Sequence, residues 1–396
     1  MGNKKALLTL VALSTIIIFA SPLVWSTKIN ISQINVYIDD SIQSAINDAQ
    51  EGDTIFIQNG VHIEDSYPIF VNKTVTLVGE NVDATVIDGW ETSTVIFQAQ
   101  ADGTKISSLT IQNTTKGEGG AGVHLFNVKN IEIANCKIRK CNDGIILTNS
   151  TSSKIARNKI IDNHSRGIRL HENSSFNMFT DNNISTNPTG IWIADLESKG
   201  NKFYHNNFVN NFYQKSEIAP GNAWDNGYPS GGNYWSDYNG EDAEPDGIGD
   251  TSYEDADNYP LMGMFSSFNT STGKHVNIVS NSTVEDFEYF ESNSTITMHV
   301  SNMTTSQTFG FCQICIPHAL MSDSYNVTIN GALPYYSDYN IADNGTHRWI
   351  YFNYQHSTLE IVIVPEFPSI LIMPLLMIAV LLATLVYKRR ANSLTT

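Results

Sequence analysis

Ile133-Ala-Asn-Cys136-Lys-Ile138-Arg-Lys-Cys141-Asn-Asp-Gly144-Ile-Ile-Leu147 is followed by two near-copies of itself. These are Ile155-Ala-Arg-Asn158-Lys-Ile160-Ile-Asp-Asn163-His-Ser-Arg-Gly167-Ile-Arg-Leu170 and Phe179-Thr-Asp-Asn182-Asn-Ile184-Ser-Thr-Asn187-Pro-Thr-Gly190-Ile-Trp-Ile193. A fourth begins with Phe203, Asn206, Phe208 and Asn211. The leading apolar residues are spaced 22, 24 and 24 residues apart. An earlier partial copy contains Ile106, Ile111, Gly122, Val123 and Leu125. A fixed period of this length is the mark of a solenoid. Within each unit the apolar residues alternate and are broken by Asn and Gly, which is short strand and tight turn rather than helix. Such a unit cannot bury its apolar face alone. Stacked about 4.8 Å apart, the copies place aliphatic over aliphatic and Asn amide over Asn amide. Asn also suits the left-handed backbone of the turns. The predicted fold is all-β, a right-handed parallel β-helix over residues 36–222.

A solenoid end exposes apolar core and unpaired backbone, so it needs a lid. Residues 40–50 predict a short amphipathic helix for that purpose. Ile42, Ala45, Ile46 and Ala49 lie at i, i+3, i+4 and i+7, and Asp40 or Ser41 is placed to cap the N-terminus. After Phe212 the repeat stops, and residues 223–262 form an aromatic and acidic closing segment. Packing of Trp224, Tyr234 and Trp235 over the open end is one reading of it. Asp242, Glu244, Asp246 and Asp250 alternate around Gly247, an oxygen-ligand pattern that suits Ca²⁺. It departs from a complete EF-hand, because Tyr253 stands at position 12 and no helix follows.

The strands after each Gly also fix an outward face. Val123/Leu125, Ile145/Leu147, Ile168/Leu170 and Ile191/Ile193 point inward. One outward column therefore reads His124, Ile146, Arg169, Trp192, and the next reads Phe126, Thr148, His171, Ala194. An indole beside Arg and His is a sugar-recognition chemistry: the ring takes the apolar face of the sugar, and the polar groups take hydroxyls or carboxylates. The same residues also suit an ordinary cross-strand cation–π pair on a solvated sheet. His124, Arg169, His171 and Trp192 are the candidate ligand-binding residues. Hydrolysis needs two facing carboxylates. Asp143, Asp162, Asp181 and Asp195 fall mostly at turns, so no catalytic residue is assigned. Cys136 and Cys141 occupy Asn ladder slots, where packing explains them. A disulfide across that turn is the alternative.

Net charge is −17 with only 23 Lys and Arg in 396 residues, which argues against nucleic acid and permits cations. Residues 1–26 join a basic start to an apolar run, a secretory signal or an uncleaved anchor. Sequons such as Asn72, Asn173, Asn293 and Asn344 fit export. Asn163 is also a sequon, but its ladder position is a buried one. Residues 273–364 read as a small β-sandwich. Cys312 and Cys315 sit three apart in one of its strands and so face opposite ways. Residues 367–387 are apolar and end in Lys388-Arg-Arg390, the pattern of a membrane helix with its basic end inside. The bulk of the chain is then outside the cell.

Asp40-Ser-Ile-Gln-Ser-Ala-Ile46, Gly52-Asp-Thr-Ile-Phe-Ile57, Gly60 and Val75-Thr-Leu-Val-Gly-Glu80 resemble the opening of pectin-lyase-like β-helix proteins. The repeats that follow are similar to the carbohydrate-binding and sugar-hydrolase class. That class includes the NosD family, named for a periplasmic protein of copper-enzyme maturation. The resemblance covers residues 36–262. The segment from Trp224 to Met262 resembles the end of NosD-like solenoids in archaeal surface proteins, and Pro365-Glu-Phe-Pro-Ser369 resembles the sorting tails cleaved by archaeosortases. The resemblance implies a surface-anchored β-helix with polysaccharide or glycoprotein glycans as partners. Its alternatives are a polysaccharide lyase or hydrolase and a copper-enzyme maturation factor. Polygalacturonase signatures are absent. Soft copper ligands are limited to Met262, Met264 and scattered His, so the residues do not favour copper.

Overall fold

The structure, a computed structural model, describes residues 32–218, 220–321, 325–334, 340–355, 357–365, 377–378 and 380–384. The N-terminal apolar segment, two thirds of residues 367–387 and residues 366–369 of the sorting-tail motif lie outside them. Among the described residues no helix is long and apolar enough to cross a membrane.

The repeat winds into three parallel sheets of eight, eight and seven strands. The first sheet runs from Gln33–Val36 to Lys202–Tyr204 and the second from Gly60–His62 to Tyr234–Trp235. The third runs from Ile69–Val71 to Tyr213–Glu217. The register is the one the sequence implies. Ile133, Ile155, Phe179 and Phe203 are direct partners in the first sheet, and Ile138, Ile160, Ile184 and Phe208 in the second. All are fully buried in one continuous core. Gly144 is needed because the coils touch here: a Cβ would come within 2.5 Å of the Gly167 carbonyl oxygen.

The Asn residues form ladders as expected. The backbone N–H and amide of Asn158 both donate to Asn182 Oδ1, and Asn182 repeats this with Asn206. Each amide also donates to a carbonyl of the coil before it, as Asn182 does to Ile155. Cys136 opens this ladder, donating its N–H to Asn158 Oδ1, and Cys141 does the same with Asn163. Both are buried free thiols, and burial pushes each up to about 12. They fill slots rather than close a disulfide. Asn163 is buried, as its ladder position predicts.

Two of the ladders end on carboxylates, and the one from Cys141 ends on the amide oxygen of Gln214. Asn206 donates to Asn233 Oδ1, and Asn233 in turn donates through its N–H and amide to Asp257 Oδ2, which also takes the indole N–H of Trp235. A parallel ladder runs Asn177, Asn201, Asn222 and stops on Glu217, which takes the indole N–H of Trp224. A carboxylate only accepts, so it ends a donor chain without leaving an amide N–H unpaired. Burial pushes Asp257 up to about 6 despite its donors.

The lid helix spans Ile42–Asp48 with Ser41 as its N-cap, and Ile42, Ala45 and Ile46 are buried. At the other end Trp224 stacks on Phe203 at 4.2 Å, and Trp235 lies between Phe208 and Tyr253, at 4.3 Å from each. The aromatic closing of the core is therefore real for Trp224 and Trp235. Tyr234 differs: it alternates outward from Trp235 and packs against the cluster of Ile248, Leu261, Phe265 and Val279.

Beyond the solenoid lie two antiparallel sheets of five and four strands around a second core. They include Met264–Asn269, which precedes the 273–364 stretch read from sequence, and Ser282–Phe290 within it. Both are edge strands of their sheets. Ser282–Phe290 is largely exposed, so it lacks an apolar run to announce it. The Asn207 amide joins the two parts, donating to the Phe265 carbonyl and accepting its N–H, both at 2.8 Å. Cys312 is buried in the second core, whereas Cys315 is only partly buried and points away from it.

Candidate functional site

The outward column of the third sheet is in register: His124 pairs with Ile146, Ile146 with Arg169, and Arg169 with Trp192. It is not one open strip. Ile146 is buried with Val95 and Ala121 in a small apolar cluster on the outer face. That patch separates His124 from Arg169. The two histidines are linked another way: His124 Nε2 and His171 Nε2 lie 2.8 and 2.9 Å from the same hydroxyl, Thr148 Oγ1. A hydroxyl donates to one ring nitrogen and accepts from the other, which sets opposite tautomers on the two rings. Burial, then the positive charges of His171 and Arg169, lower His124 to about 4. Burial and Arg169 also lower His171, against Glu172 and Asp195.

Asp143, weighed above as a catalytic acid, and Arg166, which the sequence does not single out, complete the candidate site. Asp143 is not at a turn. It lies in the strand Asp143–Thr148 and is fully buried. Arg166 pairs with it in register, and its Nη1 sits 3.3 Å from both carboxylate oxygens. Burial raises the Asp143 pKa, while Arg166 and Arg169 oppose the shift. The Arg166 guanidinium also lies 4.0 Å from the Trp192 ring centroid, with Arg169 at 5.1 Å. Next to them opens a recess of about 260 Å³ bounded by Arg166, Thr189, Trp192, Tyr213, Lys215 and Ser216. Arg169 Nε is buried and has no hydrogen-bond partner. The sequence signal for Arg166 was its register with Asp143 one coil earlier, two residues before the apolar pair. The outward column was taken only from residues after the Gly.

Asp162 and Asp181 occupy left-handed turn positions, as expected of Asp there. Asp195 accepts the backbone N–H groups of Glu172, Glu197 and Ser198.

In the acidic loop the carboxylates hold their own backbone. Asp242 accepts N–H bonds from Asp246 and Gly247, Asp246 from Ile248, and Asp250 from Ala243. Burial pushes Asp242 up to about 6 and raises Asp246. No hydrogen bond engages the Glu244 side chain among the described contacts. Among the described residues no three His, Cys, Asp or Glu side chains are grouped as metal ligands.

A family model described as periplasmic copper-binding protein (NosD) matches residues 23–240, more than half of the chain. The chain belongs to the NosD family. Two curated NosD relatives, each a probable ABC transporter binding protein, match over 87 residues. The one from Pseudomonas aeruginosa is 37% identical and the one from Stutzerimonas stutzeri 38%. The match covers 22% of this chain and 20% and 19% of those proteins, so the chain spans about a fifth of their length. Among solved structures a pectate lyase aligns with TM-score 0.41 at 14% identity, covering 48% of this chain and 57% of the lyase. The catalytic domain of an α-1,3-glucanase gives 0.42 at 17%, covering 51% and 38%. Likeness at that level carries no argument about activity.

The copper of the NosD description does not fit the donors seen here. His205 is buried, stacked on Phe265, and bonded through Nε2 to the Ser230 carbonyl. His124 and His171 share a hydroxyl rather than an open position. Cys136 and Cys141 are sealed inside the core. Copper needs several soft side chains facing one point, and the described residues do not supply them.

Proposed function

We propose that this NosD-family chain is a non-catalytic glycan-binding β-helix displayed outside the cytoplasmic membrane. The recess beside Trp192 carries the reading. It joins a partly exposed indole to Arg166 and to Lys215, which also pairs with Glu254, and Arg169 lies 5.1 Å from the same ring, in a chain whose net charge is −17. The buried, unpartnered Arg169 Nε supports it further, because such a donor calls for an acceptor. Asp143 serves to orient Arg166 rather than to transfer protons. Display at the surface is supported by the two apolar end segments of the sequence.

The test is a glycan array on the secreted portion, with Trp192→Ala in parallel. Retention of glycans by the wild type and their loss in the variant supports the reading. Equal signals from the two proteins remove Trp192 from any site. New reducing ends or unsaturated products from a polysaccharide panel would instead make the chain an enzyme.

A further inference from the structure

A second cleft lies between the solenoid and the sandwich. Its volume is about 580 Å³, within the range of small-ligand pockets, which favour junctions between folded units. One wall is the outward face of the first sheet. There Lys105, Glu132 and Lys154 stand in one register column. Glu132 is engaged by Lys105 at 3.4 Å, which leaves Lys154 with no carboxylate partner among the described residues. Arg157 beside it donates Nε to Asn135 Oδ1 and has no ion pair among the described residues. Asp181, the acid in the cleft, accepts the Thr180 hydroxyl. The opposite wall presents His275 and His347 from the sandwich, with an edge of the largely buried Trp349.

The floor carries an independent signal. A void of about 20 Å³ lies behind it, lined by His205, Asn277, Cys315 and Trp349, which also line the cleft, and by Gln313. Gln313 is 3% exposed, and its Nε2 has no hydrogen-bond partner. The void beside that amide is large enough for one water. Unsatisfied donors on the wall and floor, next to an indole and the exposed Tyr228, call for a ligand rich in acceptors with a flat apolar face.

We propose that this cleft binds an anionic saccharide of one or two rings. This is a site separate from the Trp192 recess, and it stands whether or not that recess binds glycans. Cellobiouronate, its neutral counterpart cellobiose, and inorganic phosphate are titrated calorimetrically into the full chain carrying Trp192→Ala. The proposal expects cellobiouronate to bind at one site and cellobiose at least about tenfold more weakly. Lys154→Gln with Arg157→Gln then weakens cellobiouronate by about tenfold or more. Lys202→Gln, in the same column beyond the cleft, leaves it unchanged. Absence of binding to the Trp192→Ala chain, or unaltered affinity in the double variant, overturns the proposal. Phosphate binding as tightly as the disaccharide also overturns it, in favour of a simple anion site. Because Lys154 is exposed and Arg157 partly so, neither change threatens the core.

Discussion

The same strands of the third sheet build two unlike surfaces. Inward, Val123, Ile145, Ile168 and Ile191 stack like on like. Outward, His124, Ile146, Arg169 and Trp192 stack with no two alike. Each inward residue is set by its neighbours in the coils above and below, because a close-packed column tolerates little change of volume. The outer column has no such constraint except where something covers it. Departure from the repeat gathers around Arg166, Arg169 and Trp192, and the proposed function rests on it.

Two tryptophans test this contrast most strongly. Trp235→Ala removes a fully buried ring stacked on both faces and the indole bond to Asp257. It should cost about 3–5 kcal/mol in denaturant unfolding. Trp192→Ala, on the outside, should cost about 1 kcal/mol or less, the scale of an exposed cation–π contact. Equal losses would break the division between inner scaffold and outer site. An effect between these two is expected at the ladder. Asn182→Ala strands the donors of Asn158 and leaves the Ile155 carbonyl unpaired. About 2–3 kcal/mol should be lost, with binding affinity unchanged in the protein that stays folded.

An effect of about the size of the Trp192 one is expected in pH. His124 titrates at about 4 in the fold, below the ordinary 6.5. The unfolded chain therefore takes up the proton first as pH falls. Stability present above pH 6.5 is lost progressively as pH falls towards 4. Relative to His124→Gln, the wild type should lose about 1 kcal/mol by pH 5.5. An imidazole NMR titration midpoint near 6.5 would break the link between His124, Thr148 and His171.

Much of the core was legible because it depends on residues one period apart. Ile133 over Ile155 and Asn158 over Asn182 follow from spacing alone, as does the burial of Asn163. Asp143 was misplaced to a turn because Asp beside Gly is the ordinary turn pair. The strand instead continues through it, and Arg166 in the next coil makes burial of the charge tolerable. Asp257 looked like one more acid in an acidic loop. Its role at the end of a ladder needs the path of the chain from Asn233 back across the solenoid.

The sequence alone determined the solenoid, its register, its lid helix and the filling of ladder slots by Cys136 and Cys141. Stacking forces repeated residues into repeated environments, so a one-dimensional pattern suffices. Only the tertiary structure decided which charges meet. The Asp143–Arg166–Trp192 cluster and the junction cleft of Lys154, Arg157 and Trp349 depend on side-chain reach between coils and on how the sandwich docks through Asn207 and Phe265. Neither leaves a period in the sequence.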